Sequence, residues 1–396
     1  AWMNEHQPQL HALNARGREA QAAVRDARLL PNPTLTMGVG GITFGHRNPS
    51  NISASSTQNY QVTVAETLEL GKRGHRIRSA ELHAKSLQLE GQFEVRSILA
   101  DARESLARLV YLKERQRVLR ERLASAQGIV QLDQTRLDRG DVSGIDHSRL
   151  ELDVVNVERE LADNEGDYQA TLAACTALLG SPCEADLDSE QLEWALPAPQ
   201  AGALPAFHAE RRPDVESQRI EAEAQLEQAR LAGNRAIPDP QVGISYLHDN
   251  LIAAGNQPDS FGVFVALPLP ISDHGQHQRT QALERAEQFS AEARRRQIQA
   301  AGEAEYIIAS ERVLSTKLEM LKARALPLGV KVLDATETAY RLGQVSMTDL
   351  LLARRQRAEL ALDLVETRFA LFQVRSQARR VLGLDPATRY AQEGIE

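Results

Sequence analysis

The sequence predicts a mainly α-helical chain with a small β part, in which one unit of helix, hairpin, long helix and returning helix occurs twice. Two stretches with Gly, Val, Ser and Asp at the same spacing, Gly140-Asp141-Val142-Ser143-Gly144-Ile145-Asp146 and Gly343-Gln344-Val345-Ser346-Met347-Thr348-Asp349, lie inside long helical segments. Other landmarks recur in the same order: Leu30-Pro31-Asn32-Pro33 is answered by Ile237-Pro238-Asp239-Pro240, and Val64-Ala65 through Gly74 by Val265-Ala266 through Gly275. Their offsets are 207 (Pro33 to Pro240), 201 (Gly74 to Gly275) and 203 (Asp146 to Asp349), too constant for unrelated segments. Aromatic residues make up only 4% of the chain while Ala, Leu, Gln, Glu and Arg abound, a composition suited to closely packed long helices.

These landmarks divide the chain into a first repeat at 1–180, a connector at 181–205, a second repeat at 206–383 and a tail at 384–396. The first repeat opens with a helix from about Asn4 to Arg28, which the prolines of Leu30-Pro31-Asn32-Pro33 stop. The period then becomes two. Leu35, Met37 and Val39 alternate with Thr34, Thr36 and Gly38, and Val62, Val64, Leu68 and Leu70 with polar or small residues, giving strands at about 34–45 and 60–70. The second repeat places strands at about 241–248 and 261–271, with Val242, Ile244 and Tyr246, then Phe261, Val263, Val265, Leu267 and Leu269, on one parity. Four strands in two separated hairpins are expected. Glu66 breaks the apolar parity and belongs near a rim, and Pro268 and Pro270 suit the handover from strand to helix.

From Lys72 the helical period returns and runs without proline to Arg139, a helix on the order of 100 Å long at ~1.5 Å per residue. The stretch from His274 to Leu342 is expected to match it. Tight turns follow at about 139–146 and 342–349: Gly140 and Gly343 allow left-handed backbone, while Ser143 and Ser346 cap helices that carry Asp146 and Asp349 three residues on. The returning helices then run from about Ser143 to Leu179 and from Ser346 to Leu382, packed antiparallel to the long ones.

Four strands cannot close a barrel alone, and open edges aggregate, so strands of several chains are expected to close together. Thr34, Thr36, Gln61 and Thr63 on one parity, with branched or aromatic residues on the other, fit a barrel with water inside and lipid outside. The alternative on pattern alone is a sheet packed on helices. No run reaches the ~18–20 apolar residues of a membrane-spanning helix. A net charge of −8 disfavours a nucleic-acid partner. Cys175 sits in an apolar run and reads first as a small buried hydrophobe; a bond to Cys183 across Gly180-Ser181-Pro182 is the alternative.

The order, spacing and duplication of these segments resemble the TolC-type outer-membrane efflux factors over nearly the whole chain. Leu30-Pro31-Asn32-Pro33, Glu66-Thr67-Leu68-Glu69-Leu70-Gly71-Lys72-Arg73-Gly74 and Leu267-Pro268-Leu269-Pro270 are similar to the heavy-metal branch, which exports copper and silver or cobalt, zinc and cadmium. The resemblance implies a homotrimer whose four strands per chain form a twelve-stranded transmembrane barrel in the outer membrane, continued through the periplasm by an α-helical barrel. It also implies two partners, a resistance-nodulation-division transporter of the inner membrane and a periplasmic adaptor that meets the tips at Gly140, Val142, Ser143, Gly343, Val345 and Ser346.

The chain carries no phosphate loop and no nucleophile–base order in a sheet context, so neither an enzyme nor a cofactor is expected. His46, His75, His83, His147, His248, His274 and His277 are read as solvated histidines rather than ligands. Asp138, Asp141, Asp146, Asp334 and Asp349 crowd the tips, where capping explains Asp146 and Asp349. Repeated by threefold symmetry, Asp138, Asp141, Asp146 and Asp349 would also form acidic rings that favour cations. Competing readings are the same duct carrying drugs or a secreted polypeptide, and a soluble coiled-coil scaffold or the periplasmic adaptor itself.

Overall fold

The computed structural model describes residues 7–42, 52–140, 142–183, 196, 207–251 and 257–383. Helix α1 spans Pro8–Ala27, and strands β1 (Thr34–Gly40) and β2 (Asn59–Thr67) follow. Helix α2 runs for 66 residues, Arg73–Asp138, and α3 returns over Gly144–Leu179. The pattern then repeats with α4 (Pro213–Gly233), β3 (Gln241–Asp249), β4 (Asp259–Ala266), α5 (Gln276–Met320), α6 (Leu326–Arg341) and α7 (Met347–Leu382). Helices α3 and α7 each have 36 residues, and each ends at a left-handed glycine, Gly180 or Gly383. Glycine is the residue that adopts this backbone without a Cβ clash, so both helices stop at the same point of their repeat.

Four expectations need correction. The second long helix is not uniform: a π-helical turn, Leu321–Ala325, separates α5 from α6. Pro327 lies just beyond it and has neither an N–H to donate nor room for a normal turn before it, and a wider turn absorbs both defects. Strands β1, β2 and β4 end earlier than their alternation suggests. β2 stops at Thr67 because the next residue opposite, Pro240, accepts from the Leu68 N–H but has no N–H to return, and β4 stops at Ala266, ahead of Pro268 and Pro270, which cannot join a ladder. The hairpins are not separate, since β2 pairs antiparallel with β3 and makes one sheet in the order β1-β2-β3-β4. Finally, Gly74 is not the counterpart of Gly275 in backbone role. Gly275 is left-handed (φ 83°) before α5, whereas Gly74 lies inside α2 and the left-handed glycine before that helix is Gly71 (φ 70°). The expected residues 43–45 of the first strand, most of the connector and all of the tail lie outside the described residues.

The described residues fall into two compact units, one drawn from 16–89 and 216–294 and another from 7–15, 90–215 and 295–383. The first holds the sheet and a helical core of Leu82, Ile220 and Ala224, with Leu89 against it. Buried Ala222, Ala229, Ala232, Ala282, Ala286 and Ala293 let its helices approach closely. The Ser86 hydroxyl donates to the Ser217 carbonyl at 2.9 Å, which needs the same closeness.

In the second unit several small clusters replace a single core: Leu10 with Val95 and Ile98, Ala107 and Val110 with Phe372, and Ile307 with Val374, Ala378 and Val381. The α2–α3 pair is antiparallel, as the contacts Leu112 carbonyl to Asn164 (3.0 Å), Arg122 to Glu160 (3.2 Å) and Asp133 to His147 (3.2 Å) show in succession. Cys175 and Cys183 are joined by a disulfide, with Cα atoms 6.0 Å apart, so of the two readings of Cys175 the bonded one holds, and the residue is buried as well. The bond ties the end of α3 back across the Gly180 turn, and Leu109 packs on it.

Candidate functional site

Two places collect the residues that the sequence singles out, the sheet in one unit and the helical turns in the other. The ladder sets Leu35, Met37 and Val39 of β1 opposite Val64, Val62 and Tyr60 of β2. Val62 and Val64 meet Tyr246 and Ile244 of β3, and Val242, Ile244 and Tyr246 meet Val265, Val263 and Phe261 of β4. One face is therefore apolar across all four strands. It is bare in the single chain, with Met37 70%, Val263 77% and Phe261 84% exposed. The other face carries Thr34, Thr36, Gln61, Thr63, Gln241 and Ser245, with Leu247 beside Gln61 and Phe264 among small neighbours. A Cβ at Gly243 would lie 2.5 Å from the Phe264 ring, so that ring lies over the glycine. Glu66 is exposed opposite Val242, one residue from the end of β2, which places it at the margin of the apolar face.

The strand exits are clamped. Asp239 of the Ile237-Pro238-Asp239-Pro240 segment accepts from the Leu70 N–H (2.9 Å) and from Lys72 Nζ (2.6 Å), and Lys72 also donates to the Ile237 carbonyl (2.8 Å). These bonds lower the Asp239 carboxyl below its ordinary range against a desolvation that opposes them. Arg76 is paired with Glu69 and donates to the Ala27 and Leu29 carbonyls. The motif residues Glu69, Gly71, Lys72 and Asp239 therefore fasten strand ends to helix starts.

At the turns, Gly140 (φ 78°) and Gly343 (φ 72°) are left-handed. Ser143 caps α3 by accepting from the Asp146 N–H at 3.2 Å, and its hydroxyl donates to the Asp146 carboxylate at 2.8 Å. Ser346 and Asp349 form a complete capping box, in which the Ser346 hydroxyl and N–H donate to Asp349 and hold its carboxyl below the usual carboxylate range. Val142 and Val345 are half-buried, and Asp138 is exposed, accepting from Gln134. Asp334 is also exposed, and Asp141 lies outside the described residues. Close by, the sequence pattern gives no sign of two cross-links between the repeats. Arg136 of α2 donates to the Tyr340 hydroxyl, with its guanidinium 5.2 Å from the ring centre. Arg354 of α7 donates to the Ser125 carbonyl (3.2 Å) and to Glu337 (2.7 Å), joining α2, α6 and α7.

Asp133 of α2 and His147 of α3 form a buried pair across the first turn. Asp133 is 1% exposed and its carboxylate is 3.2 Å from His147 Nδ1. The second repeat has Thr336 and Leu350 at the offset of 203, so the pair belongs to the first repeat only. Elsewhere His75 meets Glu227 and His83 meets Glu221 between α2 and α4, and His248 meets Asp259. His46 lies outside the described residues. Among the described residues no three His, Cys, Asp or Glu side chains are placed to hold one metal ion, and no helix is long and apolar enough to cross a membrane. An open groove of about 590 Å³ runs between α6 and α7, lined by Leu328, Gly329, Val332 and Leu360.

Residues 3–181 match the outer membrane efflux protein family. The chain is 24% identical over 366 residues to the cobalt-zinc-cadmium resistance protein CzcC of Cupriavidus metallidurans, covering 92% of this chain and 84% of that protein. It is 25% identical over 371 residues to the pyoverdine export outer membrane protein OpmQ of Pseudomonas aeruginosa, with 87% and 76% covered. Its fold is that of the outer membrane protein VceC of Vibrio cholerae, with a TM-score of 0.77 at 19% identity over 96% of this chain and 94% of that one. CusC, studied for its folding and transmembrane channel formation, matches with a TM-score of 0.77 at 15% identity over 96% and 90%.

Proposed function

We propose that the chain, whose residues 3–181 match the outer membrane efflux protein family, forms the passive exit duct of a tripartite efflux pump for heavy-metal cations. The sheet carries this reading. Its apolar face is exposed on every strand, its opposite face is mostly polar or small apart from Leu247 and Phe264, and among the described residues β1 and β4 are the edges of the sheet. Such a sheet is stable where lipid covers one face, water fills the other and further copies close the edges. Three copies give twelve strands in the outer membrane, and the long helix pairs continue the duct into the periplasm. The duplication, with repeats at 1–180 and 206–383, supplies two strands and one helix pair twice per chain.

The periplasmic adaptor docks on the turns at Gly140, Val142, Ser143, Gly343, Val345 and Ser346, and a resistance-nodulation-division transporter feeds the duct from the inner membrane. Asp138, Asp141, Asp146 and Asp349 are repeated by the trimer as acidic rings that favour cations over anions. Metal as cargo is supported by the match to CzcC. A small organic cargo is the second reading, favoured by the match to OpmQ over 371 residues.

The test is complementation. A host lacking its own metal-exporting outer-membrane component, but supplied with the pump and adaptor, should regain tolerance to cobalt, zinc, cadmium, copper or silver when this chain is expressed. Restored export of an organic chelator, with metal tolerance unchanged, would replace the metal reading by the organic one.

A further inference from the structure

We propose that the four strand-to-helix handovers, and not the strands alone, form the inner part of the lipid belt. The proline-rich segments that carry Leu30, Leu68, Leu70, Leu267, Leu269 and Ile271 then lie against the inner leaflet of the outer membrane, an inference that rests on the barrel reading above and sets its depth. On the apolar face the described strands are polar at both ends. Glu66 shares a row with Val242 and Val265, and His248 and Asp259 share a row with Tyr60. The row of His248 is a bonded cluster: Asp259 accepts from the Tyr246 hydroxyl (2.5 Å) and meets His248 Nδ1 (2.8 Å), while His248 Nε2 meets Asn250 (3.1 Å).

Six residues separate the two rows on β2 and on β3. That is ~20 Å of strand and, at a barrel tilt of ~40°, ~15 Å of height, against an apolar band of ~25 Å in such barrels. About 10 Å of apolar height is missing from the strands. The helical side supplies it. Leu267 and Leu269 continue in sequence the parity of Val263 and Val265, which adds ~13 Å of chain and ~10 Å of height. Leu269 is 68% and Ile271 83% exposed, and Leu30, Leu68, Leu70 and Leu267 are exposed as well. Exposed charges resume at Arg73 and Asp273, the level of the headgroups. Among the described residues Glu66 is the single charge on this face between the row of His248 and the handovers. Covering six large apolar side chains outweighs immersing one carboxylate, whose cost falls toward the interface.

Irregular backbone is kept out of hydrocarbon by the cost of unpaired N–H and C=O groups, and these handovers remove much of that cost. Pro31, Pro33, Pro238, Pro240, Pro268 and Pro270 carry no N–H at all. The Leu68 N–H donates to the Pro240 carbonyl, the Leu70 N–H to Asp239 and the Ile271 N–H to the Leu269 carbonyl, each at 2.9 Å. The carbonyls of Arg28, Ile237 and Gly71 accept from Arg73 (2.8 Å), Lys72 (2.8 Å) and Asn234 (2.6 Å). The prolines and clamps thus fit these segments for contact with lipid as well as ending the strands.

Spin labels read the depth. The full chain is reconstituted in vesicles of phosphatidylethanolamine and phosphatidylglycerol with one cysteine introduced at a time, Cys175 and Cys183 being bonded to each other. Collisions of the label with oxygen, which collects in lipid, are compared with collisions with a water-soluble nickel chelate. Leu68→Cys and Leu269→Cys should favour oxygen several-fold, as Val263→Cys does on the apolar face, whereas Arg73→Cys should favour nickel; Ile271→Cys replaces a collar site that fails to fold. Nickel-favoured labels at Leu68 and Leu269, or labels shielded from both probes as under a neighbouring copy, overturn the proposal. Two reference sites tell that failure from a wider one. Oxygen favoured at Val263→Cys and nickel at Thr63→Cys leaves the barrel reading standing, whereas nickel favoured at both removes that reading together with the collar.

Discussion

Replacing His147 with leucine should loosen the first tip by an amount that the buried pair sets. Asp133 is 1% exposed, and His147 Nδ1, at 3.2 Å, is its recorded partner on α3. Without the imidazole a polar group stays buried and unsatisfied, which costs about 1–3 kcal/mol, or roughly a 5- to 150-fold rise in the local opening equilibrium. Asp133→Thr alone should cost less, because His147 keeps Glu151 within 3.8 Å of Nε2. The double variant Asp133→Thr, His147→Leu installs the residue types that the second repeat carries at Thr336 and Leu350. Its loss should fall well below the sum of the two singles, a coupling that a double-mutant cycle isolates. Hydrogen exchange of the amides at the α2 end and α3 start, measured on detergent-extracted protein, reads this local stability. Unchanged exchange in His147→Leu, or strict additivity in the double variant, would refute the reasoning.

Four further outcomes follow from the same structure. Reducing the Cys175–Cys183 bond, or Cys183→Ser, should cost about 2.5 kcal/mol by loop-closure entropy for a separation of 8 residues, visible as earlier thermal unfolding under reductant. The bond of His83 to Glu221 raises the imidazole pKa, and the same contact lowers that of Glu221 against its burial. Its contribution is therefore full between about pH 4.5 and 6.5, fades as pH rises through the folded His83 value and fades again as pH falls through that of Glu221; exchange protection of α4 should follow that window and lose its upper limb in His83→Gln. Gly275→Ala should abolish the heat-resistant assembly whereas Gly71→Ala is tolerated better, because a Cβ at Gly275 would lie 1.9 Å from the Ala232 carbonyl while one at Gly71 finds its nearest atom at 3.4 Å. Asp146→Asn with Asp349→Asn should lower cation over anion selectivity in planar bilayers; unchanged selectivity would remove these two residues from the acidic rings.

Local order was legible in the sequence because backbone geometry and face periodicity are written into neighbouring residues. The glycine, serine and aspartate spacing gave both helix caps, and the alternation of Leu35, Met37 and Val39 gave the apolar face. Pairings between distant segments were not legible. The bond of β2 to β3 links residues more than about 170 apart, and nothing in either strand's alternation names its neighbour. Arg136 on Tyr340 and Arg354 on Ser125 and Glu337 depend in the same way on which helix faces meet. Asp133 and His147 are fourteen residues apart across a turn that the sequence did locate, so the pair could have been found by folding α3 back on α2. Pro327 is a local signal of the π-helical turn, whereas the apolar period runs through it unbroken.

Native mass spectrometry of detergent-extracted protein, beside unheated and boiled gels, tests most directly the claim that this sheet closes between copies in a membrane. The account predicts a three-chain assembly that survives in the unheated gel and falls to single chains on boiling. A monomer that stays in the aqueous fraction without detergent would contradict it, since its apolar sheet face would then be facing water.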